Sequence, residues 1–175
     1  MSPKNLSHVE AAAIGLAALT ALVTIEDTLK LKRGEKILIQ GGAGGVAGMA
    51  IQLAHHLGAE VVTTARAGNH AYLRGLGADQ VIDYTEEDPA ILVRDCDAAF
   101  DTVGGACIAQ SFAVLTPGGR AAFIAGGAEA PIPPREDVTA LRPAVNRSRA
   151  LMDRVTAYVE AGILRPPEIT TMPLS

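Results

Sequence analysis

Short apolar, β-branched runs alternate with stretches of helical spacing along most of this chain, and glycine, proline or a small polar residue punctuates each change. The clearest unit is Lys36-Ile37-Leu38-Ile39-Gln40, a strand pattern, followed by the glycine-crowded segment 41–48 and then by 49–57 at helical spacing. Residues 60–64 predict a second strand and 69–77 a short helix closed by Gly77. A third strand is expected at 80–84, and a helix at 89–94 entered through Glu86, Glu87 and Asp88. The fourth strand, 98–103, ends at Gly104-Gly105, and 106–115 returns as a helix. Pro117-Gly118-Gly119 then turns into a fifth strand over 120–125. The proline- and charge-rich segment 126–137 predicts a loop, and 139–142 a short further strand. A last helix over 146–161 carries Leu151, Val155, Tyr158 and Val159 on one face and ends at Gly162. Successive strand–helix units imply right-handed crossovers and an α/β fold, a doubly wound parallel sheet with helices on both faces.

The N-terminal run 11–25 is apolar enough to imitate a secretion signal, but Glu10 abuts it and Lys4 is the one positive charge before it. It is also too short to span a bilayer. A buried helix explains it better. Ser7-His8-Val9-Glu10 has the form of a capping box, in which hydroxyl and carboxylate satisfy the first free N–H groups. Gly15 costs about 1 kcal/mol relative to alanine inside a helix, so it predicts close packing at that point.

Composition narrows the class. A chain of 175 residues makes one domain and buries roughly 70% of its unfolded surface. Apolar residues make up 49% while aromatics are scarce, so the core must be Ala, Val, Ile and Leu, as in a sheet covered on both faces. A net charge of −4 without a basic run argues against nucleic acid as a partner. Cys96 and Cys107 stand alone, so neither a redox pair nor a zinc cluster can be built from them; free thiols in a reducing, cytoplasmic compartment are expected.

The glycine segment carries the chemistry. Glycines let backbone approach an anion, and a new helix aims free N–H groups and its positive dipole end at it. Gly42-Ala43-Gly44-Gly45-Val46-Ala47 fits GxGxx(G/A), the dinucleotide fingerprint, in the strand–turn–helix context the motif requires, and predicts a Rossmann-type fold. A site for NAD places Asp or Glu about 20 residues further on, at the end of the second strand. Here Glu60 is at the strand's start, and Thr64-Ala65-Arg66 ends it. A guanidinium suits a 2′-phosphate, so NADP(H) is expected over NAD(H), the alternative being a solvated loop charge. His55 and His56 are about 100° apart on a helix and cannot chelate one ion together. Asp101 and Tyr84 could be an acid and a base, but structural hydrogen bonds explain their strand-end placement equally. No metal is expected.

Taken in order, residues 5–13, Leu19-Thr20-Ala21, 34–39, 42–46, Leu76-Gly77-Ala78-Asp79, 81–84 and Phe100-Asp101-Thr102-Val103-Gly104-Gly105 resemble medium-chain dehydrogenase/reductases of the zinc-independent, quinone-oxidoreductase-like branch. The resemblance implies a single NAD(P)-binding domain, with residues 1–33 as a linking helix region and 34–175 as the nucleotide-binding core. It also implies that a GroES-like substrate domain before it and closing elements after it are absent, so that this chain alone would turn over slowly. By position, Thr20 would lie near the nicotinamide ribose, and Gly42, Ala43, Gly44, Gly45 and Val46 would carry the pyrophosphate. Thr64, Arg66 and Asn69 would surround the adenosine phosphate, and Tyr84 would flank the adenine. Thr102, Val103, Gly104, Ala125 and Gly126 would face the nicotinamide. The implied activity is NADPH-dependent hydride transfer to a quinone or an activated C=C bond. The implied partners are that small molecule and a second copy of the chain, joined at an edge strand, 121–125 or 139–142; no membrane is implied. Ala47 stands where the family has glycine, and Leu22 where it often has an aromatic residue. Two other classes fit parts of the pattern. A methyltransferase also has a glycine-rich first turn, but it needs an acid ending the second strand; a non-catalytic nucleotide-binding or assembly module needs no further residues.

Overall fold

The alternating pattern folds into one six-stranded parallel sheet, order β3-β2-β1-β4-β5-β6, in a computed structural model that describes residues 3–171. Its strands are β1 (Lys36–Gln40), β2 (Glu60–Thr64), β3 (Gln80–Ile82), β4 (Cys96–Asp101), β5 (Leu115–Phe123) and β6 (Thr139–Leu141). Between them run α2 (Gly45–Leu57), α3 (His70–Gly75), α4 (Pro89–Leu92) and α5 (Ala106–Ala113), with α1 (His8–Leu22) before the sheet and α6 (Arg149–Glu160) after it. Sequence order reverses between β1 and β4, and that switch opens a crevice at the strands' carboxyl ends.

Continuous apolar strands follow from burial on both faces. Ile37, Ile39, Val61 and Phe100 pack under α1, α2 and α6, while Leu38, Val62, Ala99 and Phe123 pack toward α5 and Phe112. α1 starts at the capping box: Glu10 N–H donates to Ser7 Oγ at 3.2 Å, and Ser7 N–H to Glu10 Oε2 at 2.8 Å. Helix continues past Leu22 as a π-type segment, Val23–Thr28, so the helical run has the length of a membrane span, 21 residues. Its Leu19, Leu22 and Ile25 are nevertheless buried against protein. Arg154 on α6 pins the far end, pairing with Glu26 at 2.8 Å and Asp27 at 3.0 Å, and Tyr158 donates to Glu26 Oε1 at 2.6 Å.

Several boundaries differ from expectation for identifiable reasons. The third strand stops at Ile82 rather than residue 84, because the Asp83 carboxylate accepts from Thr85 N–H and Oγ1 and from Ala67 N–H and turns the chain. The fourth stops at Asp101 rather than 103, because its carboxylate draws the Val103 and Gly104 N–H groups inward. The last helix starts at Arg149, with Ser148 as its cap. The Pro117–Gly119 turn lies inside β5: Leu115 pairs with Cys96, Arg120 pairs with Ala98, and the residues between bulge out. The fifth strand ends at Phe123 rather than 125 and is not an edge at Ala121 and Ala122, since β6 pairs along it from Arg120 to Ala122, while Arg142 donates to the Ile124 and Ala125 carbonyls beyond. Gly15 marks no close approach either; a methyl group there would meet nothing within 4 Å.

Candidate functional site

Two threonine hydroxyls fasten the end of β1 from either side. Thr64 Oγ1 accepts from Gly41 N–H at 3.0 Å and donates to Gln40 Oε1 at 2.8 Å; Thr102 Oγ1 donates to the Gln40 carbonyl at 2.7 Å. The chain must then leave the sheet in almost no space. Gly41 takes φ +77°, and a Cβ on it would stand 2.7 Å from Val103 Cγ2. Gly42 donates its N–H to the Thr64 carbonyl at 2.9 Å, and a Cβ there would stand 2.3 Å from Thr63 Oγ1. Gly44 is the N-cap of α2, has extended backbone, and supplies no capping side chain. No acidic residue occupies the helix's first turn. The N–H groups of Gly45, Val46 and Ala47 are therefore those a helix start leaves for an outside acceptor. This glycine-lined cradle, which side chains would fill, fits a pyrophosphate.

Beyond β2, Arg66 and Asn69 share one turn, closed by Asn69 N–H on the Arg66 carbonyl at 2.9 Å. Both are exposed, and among the described residues the Arg66 guanidinium has neither an ion pair nor a hydrogen bond. Glu60 lies at the opposite end of β2, paired with Lys36 at 3.1 Å. The Thr64 hydroxyl spends its one O–H on Gln40 and accepts from Gly41, which fixes the turn at this strand end.

A cleft of about 330 Å³ opens between the ends of β1, β2 and β4, lined by Gly41, Thr64, Tyr84 and Val103 together with Gln40, Ala106, Cys107 and Gln110. The last four escape motif reading. Gln40 alone left a trace, as a polar residue ending an apolar strand; it is buried and hydrogen-bonds Gln110, which reaches Asp88. Burial and the Asp101 charge push the Cys107 thiol up, and burial pushes Cys96 up to about 12, so neither is a ready thiolate. Asp101 Oδ1 accepts from Val103 and Gly104 N–H, each at 2.8 Å, and its buried Oδ2 has no partner among the described residues. Gly104 faces Ala125 closely, a Cβ there falling 3.1 Å from the Ala125 Cβ, so the ends of β4 and β5 meet. Gly126 follows, exposed at φ +85°. Thr20 lies on α1, its hydroxyl donating to the Leu16 carbonyl at 2.9 Å; α1 reaches the cradle at Ala17, which faces Gly45. Of the expected residues, Thr64, Tyr84 and Val103 line this cleft, Gly42 to Val46 form the turn and helix start beside it, and Thr20, Arg66, Asn69, Thr102, Gly104, Ala125 and Gly126 are not among its lining residues. No three His, Cys, Asp or Glu side chains gather around a metal position among the described residues.

Residues 45–160 match the family of zinc-binding dehydrogenases. The chain is 34% identical over 168 residues to a 2-methylene-furan-3-one reductase of Solanum lycopersicum, covering 95% of this chain and 40% of that protein. It is 31% identical to the chloroplastic NADPH-dependent alkenal/one oxidoreductase of Arabidopsis thaliana, covering 95% and 41%. Among solved structures it superposes on the quinone oxidoreductase of Coxiella burnetii with a TM-score of 0.83 and 33% identity, over 93% of this chain and 52% of that one. It therefore spans about two fifths to one half of these three proteins.

Proposed function

The chain belongs to the zinc-binding dehydrogenase family, in its medium-chain, quinone-oxidoreductase-like branch, as an oxidoreductase nucleotide-binding domain, and from that membership we propose that it binds NADP(H) for hydride transfer to a quinone or an activated C=C bond. One observation carries the reading: an uncapped helix start in a glycine cradle, with a guanidinium unpaired among the described residues lying beyond β2 where an NAD site would set a carboxylate. The bound dinucleotide supplies the hydride. Gly44 and the N–H groups of Gly45 and Val46 hold its pyrophosphate, and Arg66 with Asn69 takes the 2′-phosphate. Tyr84 and the cleft beside it receive the adenine. Val103, Gly104, Ala125 and Gly126 set the plane of the nicotinamide, with Thr20 at its ribose; holding that ring against the acceptor is where orientation contributes rate. The family's name carries zinc, but the described residues offer no ligand set for it, and no step is assigned to a metal.

The domain boundary at residues 33/34 belongs to the same reading. So do a reducing, cytoplasmic setting and a homodimer joined through the sheet edge, with no nucleic-acid or membrane partner. Titration tests the cofactor assignment. A charged hydrogen bond is worth roughly 1.5–3 kcal/mol, so Arg66→Ala is expected to weaken NADPH binding about ten- to a hundredfold while NADH is nearly unchanged. Equal losses for the two cofactors would overturn the assignment.

A further inference from the structure

At the end of α2 opposite the cradle lies a second cleft, about 530 Å³, bounded by the last turn of α2, the last turn of α3 and the segment after α6. Four basic side chains line it, His55, His56, Arg74 and Arg165, and no carboxylate does. In a chain of net charge −4 that is a local reversal of sign. We propose that this cleft is an oxyanion site that takes a phosphate group, separate from the dinucleotide crevice.

The walls are fixed by chemistry that reads as construction. Gln52, buried on α2, accepts from Arg165 N–H at 2.9 Å and donates to the Arg165 carbonyl at 3.2 Å, tying together residues far apart in sequence. Arg165 Nη2 donates to the Gly75 carbonyl at 3.1 Å, which spends one of five guanidinium N–H groups. His55 lies against Gly77, where a Cβ would fall 2.4 Å from its Cγ, and His56 stands edge-on to Tyr158 at 5.7 Å. Neither Arg74 nor Arg165 has an acidic partner among the described residues. Compensation of helix dipoles accounts for basic residues in the last turns of α2 and α3. It does not account for Arg165, which belongs to neither helix and is held there by Gln52. Planar guanidiniums on two walls match the tetrahedral oxygens of a phosphate. The 13 residues of α2 place this cleft about 20 Å from the cradle, so occupancy of one does not block the other.

The test follows the His55 and His56 ring resonances by NMR in a chloride-free zwitterionic buffer, with inorganic phosphate and then phenyl phosphate added to the whole chain. Saturable shifts at both rings are expected, with half-saturation at about 1 mM or below. Phenyl phosphate binding tenfold tighter than inorganic phosphate would mark a phosphate carried on a larger molecule; equal affinity would mark the free ion. Arg74→Gln and Arg165→Gln, the latter keeping a donor for Gly75, should each weaken binding about tenfold. Gly44→Val should leave the shifts unchanged, so the outcome is independent of the cofactor reading. Should Arg165→Gln unfold, His56→Gln with Arg74→Gln makes the same measurement. Shifts that never saturate, or that persist in the double variant, would overturn the proposal.

Discussion

Gly42 and Gly44 stand two residues apart in one motif, yet the geometry gives them different work, and alanine at each separates folding from binding. At Gly42 the added methyl would lie 2.3 Å from Thr63 Oγ1, 3.2 Å from Thr63 Cγ2 and 3.1 Å from Leu73 Cδ1. Thr63 is fully buried and donates to the Ile39 carbonyl at 2.6 Å, so it cannot swing away without stranding a hydroxyl in the sheet. Overpacking costs about 1–3 kcal/mol, and an unsatisfied buried hydroxyl about as much again. Gly42→Ala should therefore lose about 2–6 kcal/mol, a fall of roughly 4–24 °C in Tm for a domain of this size. At Gly44 the methyl would meet one atom, the Gly41 carbonyl oxygen at 3.2 Å, on backbone any L residue can adopt. Gly44→Ala should keep Tm within a few degrees, at a cost of about 1 kcal/mol or less. Its effect should fall on dinucleotide affinity, and Gly44→Val should abolish binding outright. Thermal melts with cofactor titrations measure both. The decisive control is Thr63→Ala, which removes two of the three atoms the methyl would strike. In a double-mutant cycle it should recover at least about 1 kcal/mol of the Gly42→Ala loss. Equal melting temperatures for the two alanine variants, or no coupling to Thr63, would show that the steric account of this turn is wrong.

Two further outcomes are expected. Burial first, and then the hydrogen bond to Glu26, push the Tyr158 hydroxyl up to about 12. A folded pKa above the unfolded value of about 10 contributes stability that is complete below pH 10 and lost as pH rises toward 12. Urea melts should show that alkaline decline, and Tyr158→Phe should flatten it while costing about 1 kcal/mol at pH 8; an unchanged decline would remove Tyr158 as its source. The outer edge of β6 has no strand partner among the described residues, which is a template for pairing. Sedimentation should find a dimer at micromolar concentration that Ala140→Pro, which removes a backbone donor, converts to monomer; a monomer in both would refute edge pairing.

Local chemistry carried most of the fold into the sequence. The strand at 36–40, the glycine turn, the capping box at Ser7 and the parallel α/β order are each written in neighbouring residues, because hydrogen-bond capping, φ freedom and strand–helix alternation act over a few positions. What the sequence blurred were ends and edges. Tyr84 left its strand because Asp83 turned back on Thr85 and Ala67, and Ala121 and Ala122 became interior because a short strand arrived from 139–141. The glycine motif itself was legible, but its division of labour was not, since the atom that forbids a side chain at Gly42 belongs to Thr63 on the next strand. Cys107, Gln110 and Ala106 joined the cleft only through the crossover that sets β4 beside β1. Arg165 came to line the same cleft as Arg74 through its bonds to Gln52, more than a hundred residues before it, and to the Gly75 carbonyl. The sequence alone determined which segments would be strands and helices and that one turn would be open to an anion. Only tertiary structure decided which surfaces those segments share, because contacts between distant positions depend on the register and order of strands, which no local pattern encodes.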